Sequence, residues 1–206
     1  MRILFINQFY KPDVAATGQL LADLTIELVQ RGHEVHVICS RSRYEGGRIS
    51  KHTKEIIDDV NVHRVFTIGF GRGTLLGRMI DYLAFYIGAL WKALILPAPD
   101  VCVSLTTPPF ISMVGFIINK IKGSRTVVWV MDVYPEIAAA YNIIDRKSML
   151  YHILTRLNNF LYRNASAVIS LGEVMTKHLE NSGARSETLY TVHNWVPGEV
   201  IFPSKS

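Results

Sequence analysis

The sequence is poor in cysteine: only Cys39 and Cys102 occur among its 206 residues. Neither their number nor their spacing forms a disulfide framework or a metal-binding motif. Both lie in apolar, strand-like runs, which predicts buried free thiols. Such thiols are typical of a reducing compartment, so we expect a cytoplasmic protein.

Long apolar runs are also lacking. Residues 82–91 carry no charge, but a membrane-spanning helix needs about 20 apolar residues, so this run is too short to span. The N-terminal apolar run is cut by Asn7 and Gln8, which indicates a strand rather than a signal peptide. Residues 75–96 are predicted to form one long helix, with two interpretations open: a buried core helix or an interfacial helix. An interfacial helix would hold the aromatic side chains of Tyr82, Phe85, Tyr86 and Trp91 near lipid.

The two common phosphate-binding loops are missing. Neither G-x-G-x-x-G nor G-x-x-x-x-G-K-[ST] occurs in the sequence, which argues against an ordinary dinucleotide-binding or P-loop domain. The seven histidines are scattered, without metal-ligand spacing or a nucleophile partner. We therefore expect no metal and no cofactor.

The composition is on the apolar side of normal, with 49% hydrophobic residues and a mean hydropathy of +0.21. This indicates a folded domain with a sizeable core. The net charge of +5 favours anionic partners such as phosphates or lipid headgroups. Basic and histidine side chains concentrate between residues 41 and 54, in a polar stretch expected to be an exposed, mobile loop. No helix or aromatic sheet accompanies them to read bases, so nucleic acid is not an expected partner.

Short apolar strands alternate with amphipathic helices over the whole length. This predicts an α/β fold, a doubly wound, Rossmann-like parallel sheet of about seven strands with helices on both faces. We expect one domain over residues 1–193 and a linker over residues 194–206. Asp145 is predicted to cap a helix, and the strand at residues 60–67 is predicted to lie at the outside of the sheet. The predicted strands are residues 2–7, 35–39, 60–67, 100–105, 126–130, 167–171 and 188–193.

The chain is organised around residues 126–136, TVVWVMDVYPE. The first five are β-branched or aromatic, as in a central parallel strand buried on both faces, and Pro135 ends the strand. Polar residues just past such a strand lie where open α/β sheets bind ligands. Asp132 is a candidate to accept a proton from a hydroxyl nucleophile or to hydrogen-bond a sugar; alternatively it only caps a short helix. Tyr134 offers a flat face for a sugar ring, and Glu136 supplies a second carboxylate.

Two further strand-to-helix junctions are predicted to meet the same edge of the sheet. Thr17 and Gly18 open a helix whose free N–H groups suit an anion or a sugar, although a plain helix start explains them equally well. Thr106 and Thr107 precede two prolines; their hydroxyls are candidates to bind a ligand or to cap a helix. Asn194 follows the last strand and would lie at an interdomain cleft if another domain follows.

Taken together, these segments resemble the N-terminal domain of GT-B glycosyltransferases, and most closely glycosyltransferase family 4 in its bacterial surface-polysaccharide branch. The resemblance covers essentially the whole chain, and it lies in the order and spacing of the segments rather than in any one motif. The segments are RILFINQFY, the Thr17-Gly18 helix start, RGHEVHVIC, TTPP, DVYPE, ASAVISLGEVM and VHNWVP.

The resemblance implies two Rossmann-like domains that face each other across a cleft. The N-terminal domain would bind the acceptor, the C-terminal domain would bind a nucleotide-sugar donor, and transfer would retain the anomeric configuration. By position, Gly18 matches the family's glycine near the donor phosphates, and Asp132 matches the aspartate beside the reacting sugar. Many members have a histidine before this aspartate, but here Met131 precedes it, so no histidine role is transferred. Glu173 falls in the family's Ser-Glu segment, although Gly172 stands before it.

The resemblance therefore implies half of a hexosyltransferase for cell-surface polysaccharide, acting at the inner face of the plasma membrane. Its acceptor would be a saccharide, and a lipid-linked one is expected from the apolar helix and the basic loop. The family's donor site, with two glutamates seven residues apart, belongs to the C-terminal half, so this fragment alone is expected to be inactive. Two alternatives stay open: a non-catalytic, membrane-anchoring subunit of a split transferase, and an unrelated nucleotide-binding domain.

Overall fold

The computed structural model describes residues 1–42, 52–67 and 74–195. Its strands are β1 Arg2–Ile6, β2 Glu34–Ser40, β3 Lys54–Ile57, β4 Val60–Val65, β5 Val101–Ser104, β6 Arg125–Trp129, β7 Ala167–Ser170 and β8 Leu189–Thr191. Its helices are α1 Ala16–Gln30, α2 Leu75–Ile95, α3 Ser112–Lys122, α4 Glu136–Ala140, α5 Met149–Asn164 and α6 Glu173–Asn181. A short 3₁₀ turn, Ser186–Thr188, precedes β8.

The strands form a single sheet in the order β3-β4-β2-β1-β5-β6-β7-β8. All neighbours are parallel except the pair of β3 and β4, which is antiparallel. The predicted doubly wound, Rossmann-like α/β fold is therefore confirmed. Because β1, β5 and β6 are neighbours and parallel, the loops that follow them leave the sheet at the same edge.

Alternation along the strands divides the core between the two faces of the sheet. Ile3 and Phe5 pack with Leu21 of α1 on one face. Leu4 and Ile6 point the other way, into a cluster built with α2 and α3. Further along the same second face, β6 and β7 pack against α5 and α6. Among the described helices, α1 thus covers one face, while α2, α3, α5 and α6 cover the other.

The strand count differs from the prediction because β3 was missed. Two aspartates, Asp58 and Asp59, adopt positive φ angles of 50° and 62° and join β3 to β4 in a tight hairpin. Turns with two positive φ values favour Asn, Asp and Gly, so Asp-Asp is the local signal. The prediction that the strand at residues 60–67 lies outermost is wrong, because β3 covers its edge.

The prediction for the start of α5 is also wrong. Ser148, not Asp145, is the N-cap, and its hydroxyl oxygen accepts the Tyr151 N–H at 3.2 Å. The Asp145 carboxylate instead accepts the Lys147 N–H at 2.8 Å, within the preceding turn.

Helix α2 has features of both interpretations, the buried core helix and the interfacial helix. Phe85 is fully buried and belongs to the core, while Tyr82 and Tyr86 are half-buried. Of the four aromatic side chains proposed for lipid contact, only Trp91 is exposed. No helix within the described residues combines the length and the apolarity that crossing a bilayer requires.

Three predicted segments fall partly or wholly outside the described residues. Most of the basic loop, residues 43–51, lies outside them, as do residues 68–73 with their glycines and residues 196–206 of the expected linker.

Candidate functional site

The structure brings the three predicted junctions to one edge of the sheet. Thr17 and Gly18 follow β1, Thr106 and Thr107 follow β5, and Asp132 follows β6. These strands are adjacent in the order β1-β5-β6. Their carboxyl ends therefore form a continuous edge, which is where open α/β sheets bind ligands.

Thr106 ties two of these junctions together. Its hydroxyl oxygen accepts hydrogen bonds from the backbone N–H groups of Met131 at 3.0 Å and Asp132 at 2.9 Å. The Thr106 side chain is buried, so its role in the structure is to fix the turn after β6. The sequence suggested helix capping or ligand binding, and neither interpretation included this contact.

Asp132 has a half-buried side chain, and no side chain of the described residues pairs with its carboxylate. Burial raises the pKa of this carboxyl above its ordinary value, because desolvation disfavours the charged form. An unpaired carboxylate that is held at a ligand-binding edge is a good hydrogen-bond acceptor and a stronger base than an exposed one.

Tyr134 lies near this carboxylate, and two further tyrosines, Tyr82 and Tyr86, lie near Tyr134. The pKa of Tyr134 is raised to about 12, mainly by burial and to a lesser extent by the nearby charges of Asp132 and Tyr82. Burial, followed by Tyr82 and Tyr134, raises the pKa of Tyr86, whose hydroxyl donates to the carbonyl of Pro109. Tyr82 and Tyr86 come from α2, where both are half-buried. The sequence analysis left a core helix and an interfacial helix open for this segment and did not connect the two tyrosines with the site.

The backbone around Tyr134 is held by α5. The buried Asn158 side chain donates a hydrogen bond from its amide to the Tyr134 carbonyl oxygen. The peptide bond between Tyr134 and Pro135 is cis. Asn158 was missed at the sequence level because it lies in an amphipathic helical pattern, where a buried amide has no local signature.

The packing of α1 against the loop that precedes it leaves little room for a side chain at Gly18. A Cβ atom there would lie 3.2 Å from the carbonyl carbon and oxygen of Phe9 and 3.3 Å from the Tyr10 nitrogen. Its own N–H donates to the Ala15 carbonyl at 2.9 Å. The close approach that Gly18 permits is therefore between α1 and its own preceding loop. Its predicted contact with a substrate stays a prediction.

Asn7 adds a polar group that the sequence analysis recorded only as the end of an apolar run. It is fully buried just past β1. Its amide donates to the Phe9 carbonyl at 2.7 Å and lies 3.5 Å from the Thr17 hydroxyl. Its side-chain oxygen has no hydrogen-bond partner among the described residues. Asn7 thus sets the loop that leads to Thr17 and Gly18.

Two predicted residues remain, Glu136 and Asn194. One oxygen of Glu136 pairs with His178 of α6 at 3.4 Å, and the other is buried without a partner within the described chain. Asn194 is exposed, between His193, which bonds the Leu171 carbonyl, and Trp195. The Trp195 ring stacks on Trp129 with centroids 5.8 Å apart, which anchors the end of the described chain on the face that carries α1.

The sequence analysis predicted two buried free thiols and no metal site. Burial raises the pKa of Cys39 and of Cys102 to about 12, so both thiols are held in the protonated, unreactive form. Over residues 1–42, 52–67 and 74–195, no three His, Cys, Asp or Glu side chains are grouped so that they could hold a metal ion.

Solved structures share this architecture. The chain superposes on Anabaena HepE in complex with UDP and glucose with a TM-score of 0.60 at 17% identity, over 99% of this chain and 47% of that one. It superposes on sucrose-phosphate synthase from Thermosynechococcus elongatus with a TM-score of 0.67 at 8% identity, over 98% of this chain and 50% of that one. The chain thus shares the Rossmann-like fold of these two structures, over about half the length of each.

The family itself follows from the sequence match. Residues 17–195 match the model of the glycosyl transferase 4-like domain, and the chain belongs to that family. A curated protein, the probable glycosyltransferase WbjE of Pseudomonas aeruginosa, is 27% identical over 104 residues, which are 50% of this chain and 26% of that protein. The chain spans about a quarter of that relative and about half of the two solved structures. The predicted resemblance is confirmed at the level of the glycosyltransferase family, and the alternative of an unrelated nucleotide-binding domain is wrong.

Proposed function

We propose that this domain is the acceptor-binding wall of a retaining glycosyltransferase that moves a hexose from a nucleotide sugar to a lipid-linked saccharide in cell-surface polysaccharide synthesis. The observation that carries the proposal is the half-buried, unpaired carboxylate of Asp132, fixed by Thr106 beside Tyr134. A carboxylate with a tyrosine ring next to it supplies a hydrogen-bond acceptor for a sugar hydroxyl and a flat surface for a sugar ring.

In the proposed reaction the acceptor hydroxyl oxygen forms the new glycosidic bond, the nucleoside diphosphate leaves, and the hydroxyl proton is lost. Asp132 accepts that proton or hydrogen-bonds the reacting sugar, and burial makes it the more basic for either role. Tyr134, with Tyr82 behind it, walls the acceptor side and excludes water. Thr17, Gly18 and Thr107 are proposed contacts along the same edge, with Glu136 and Asn194 at its periphery.

The donor half of the cleft is proposed to come from a second domain. HepE was solved with UDP and glucose, which supports a nucleotide-sugar donor for this chain. The present domain alone leaves the donor diphosphate without most of its counter-charges and the reacting centre open to water. We therefore expect residues 1–206 to bind an acceptor without catalysing transfer, and we expect transfer by the whole protein to need no metal.

The test is transfer by the full natural chain, assayed with a panel of nucleotide sugars and polyprenyl-diphosphate-linked saccharide acceptors. Transfer with retained anomeric configuration, unchanged by a chelator and lost in Asp132→Asn, would support the proposal. If the natural chain binds the acceptor but never turns over unless a separate donor-binding subunit is added, the domain is the anchoring subunit of a split transferase. Near-normal turnover by Asp132→Asn would leave this aspartate a structural residue.

A further inference from the structure

Helix α2 presents a continuous apolar stripe to the outside of the molecule. Leu83, Ile87 and Trp91 are 59%, 63% and 67% exposed. Residues three or four apart lie on one side of a helix, so the stripe runs along the whole of this 21-residue element. At 1.5 Å per residue its length is about 30 Å. Its other exposed members are Leu76, Met79, Ile80 and Ile95.

The core does not account for these side chains. The inner side of α2 packs against the sheet through Phe85, Ala89 and Ala93. The flank near the candidate site carries Tyr82 and Tyr86, which are half-buried. The stripe is therefore additional apolar surface, larger than the scattered exposed residues that ordinary protein surfaces carry.

Neighbouring helices extend the same surface. Helix α2 packs beside α3, and α3 packs beside α5. We call the exposed side chains of α2, α3 and α5 the outer helical face. Besides the stripe, its apolar members are Met113, Ile121, Met149, Leu150, Ile153 and Phe160.

Charge on the outer helical face has one sign. Over their full lengths α2, α3 and α5 contain a single carboxylate, Asp81, and it is buried, 8% exposed. Helices α1 and α6, by contrast, each carry acidic residues. The exposed cations of the outer helical face are Arg78, Lys120, Arg156 and Arg163.

We propose that the outer helical face docks this domain on an anionic lipid bilayer, with α2 lying in the interface. Apolar side chains flanked by cations fit the boundary between acyl chains and anionic headgroups. An exposed carboxylate would be repelled by anionic headgroups, and α2, α3 and α5 carry none. A second copy of the chain fits poorly, because a two-fold contact through this face would oppose cations to cations without a carboxylate between them.

This docking also explains the position of the candidate site. The same helix that would lie on the bilayer carries Tyr82 and Tyr86 on the flank that reaches Tyr134. The use of this position for a lipid-linked acceptor rests on the proposed function, whereas docking itself does not.

The experiment is sedimentation of the full natural chain with vesicles of phosphatidylcholine, with and without about one third phosphatidylglycerol. We expect binding to the anionic vesicles, weaker at high salt, and much weaker binding to the zwitterionic ones. Ile87→Glu should lower the partition coefficient at least about tenfold, since it removes one inserted apolar side chain and adds an anion. The matched control is Val174→Glu on α6, where the native side chain is 85% exposed; it should change binding less than about twofold.

A second readout does not depend on a substitution that adds charge. Trp91 fluorescence should shift to the blue on anionic vesicles, and Trp91→Phe should remove that shift. Absence of vesicle binding by the wild type, or equal losses in Ile87→Glu and Val174→Glu, would overturn the proposal. So would a wild-type dimer that Ile87→Glu dissociates, because the face would then belong to a second copy.

Failure of docking and failure of the proposed function give different results. With docking correct, Ile87→Glu keeps transfer to a water-soluble acceptor and loses transfer to a vesicle-embedded one. Asp132→Asn should lose transfer to both acceptors. It should still sediment with anionic vesicles, because it leaves the outer helical face unchanged.

Discussion

Thr106 and Asp132 are joined across two neighbouring loops: the Thr106 hydroxyl oxygen accepts the Asp132 backbone N–H at 2.9 Å. The same oxygen accepts the Met131 N–H at 3.0 Å. A side chain that follows β5 thus fixes the backbone from which the candidate catalytic carboxylate projects. The position of that carboxylate therefore depends on a residue that need not touch the substrate.

Thr106→Val keeps the shape of the side chain and removes the acceptor of both N–H groups. We expect a loss of roughly 1–3 kcal/mol in the free energy of unfolding, because buried donors are left unpaired. Transfer by the full natural chain should lose about tenfold to a hundredfold in kcat with little change in KM, since the carboxylate is displaced rather than removed. Urea unfolding and steady-state kinetics measure the two effects.

The controls for this variant are Thr106→Ser and Thr107→Val. Serine restores the hydroxyl and should recover most of kcat and stability. Thr107 contributes its carbonyl to the Gln8 N–H at 2.9 Å, and valine keeps that carbonyl, so stability should not change. If Thr106→Val matches the wild type in kcat, the hydrogen bonds do not position Asp132.

Asp132→Asn should reduce transfer by about a hundredfold or more, if the carboxylate accepts the acceptor proton. Its stability should not fall. Burial raises the pKa of the native carboxyl, so the charged form costs stability at neutral pH, and that cost disappears as the pH falls below the unfolded-state pKa. The melting temperature of the variant should equal or exceed that of the wild type at pH 7, with the difference shrinking toward pH 4. A clearly lower melting temperature at pH 7 would mean that the carboxylate has a structural partner.

The edge of the sheet could be predicted from sequence because it depends on local signals. The apolar run of residues 126–130 predicts a buried parallel strand, and Pro135 marks where that strand must have ended. Asp132 lies between the run and the proline, so it is predicted to lie just past the strand. The partners of these residues could not be predicted, because they come from elements far apart in the chain. Thr106 reaches Asp132 across 26 positions, and Asn158 reaches Tyr134 across 24.

Helix α2 shows a second limit of sequence analysis. The apolar residues on its two sides look alike in sequence, so Phe85, which is in the core, could not be told from Ile87, which is outside. Asp58 and Asp59 show the opposite case. Their positive φ angles have a known residue preference, and the hairpin to β3 could have been predicted from them.

His63 should make the protein sensitive to mild acid. Burial, then His36, Lys92 and Lys54, lower its pKa to about 4, and its ring stacks on His36 with centroids 5.3 Å apart. A folded-state pKa below the ordinary value means that stability falls as the pH drops from about 6.5 toward 4, by roughly 1–2 kcal/mol once solvent screening is allowed for. His63→Gln should flatten the urea-unfolding free energy between pH 7 and pH 4.5.

The matched control is His152→Gln, on the exposed side of α5, which should leave the pH dependence unchanged. The range stops at pH 4.5 because Glu34, whose pKa is lowered to about 2 by hydrogen bonds from Arg2 and His36, adds its own acid dependence below its unfolded-state value. Parallel curves for the wild type and His63→Gln would assign the acid sensitivity to other groups.

Glu55 on β3 should be essential for stability because its partner, Arg64, is fully buried on β4. The guanidinium bonds Glu55, the Lys11 carbonyl and, at 3.3 Å, the Cys39 sulfur. Glu55→Ala leaves this cation unpaired in the core and should cost on the order of 3–5 kcal/mol in urea unfolding. The contrasting variant is Asp58→Asn, which breaks the exposed pair of Lys11 and Asp58 at 2.9 Å and should cost less than about 1 kcal/mol.

A double variant separates the ion pair from simple packing. Arg64→Met with Glu55→Leu replaces both charges by apolar side chains, so it should be more stable than Glu55→Ala alone, because no buried charge is left without a partner. Equal losses in Glu55→Ala and Asp58→Asn would contradict the argument, since the two pairs differ mainly in burial. The comparison also tests the pairing of β3 with β4, because Glu55 lies on β3, opposite Val62, and Arg64 lies on β4.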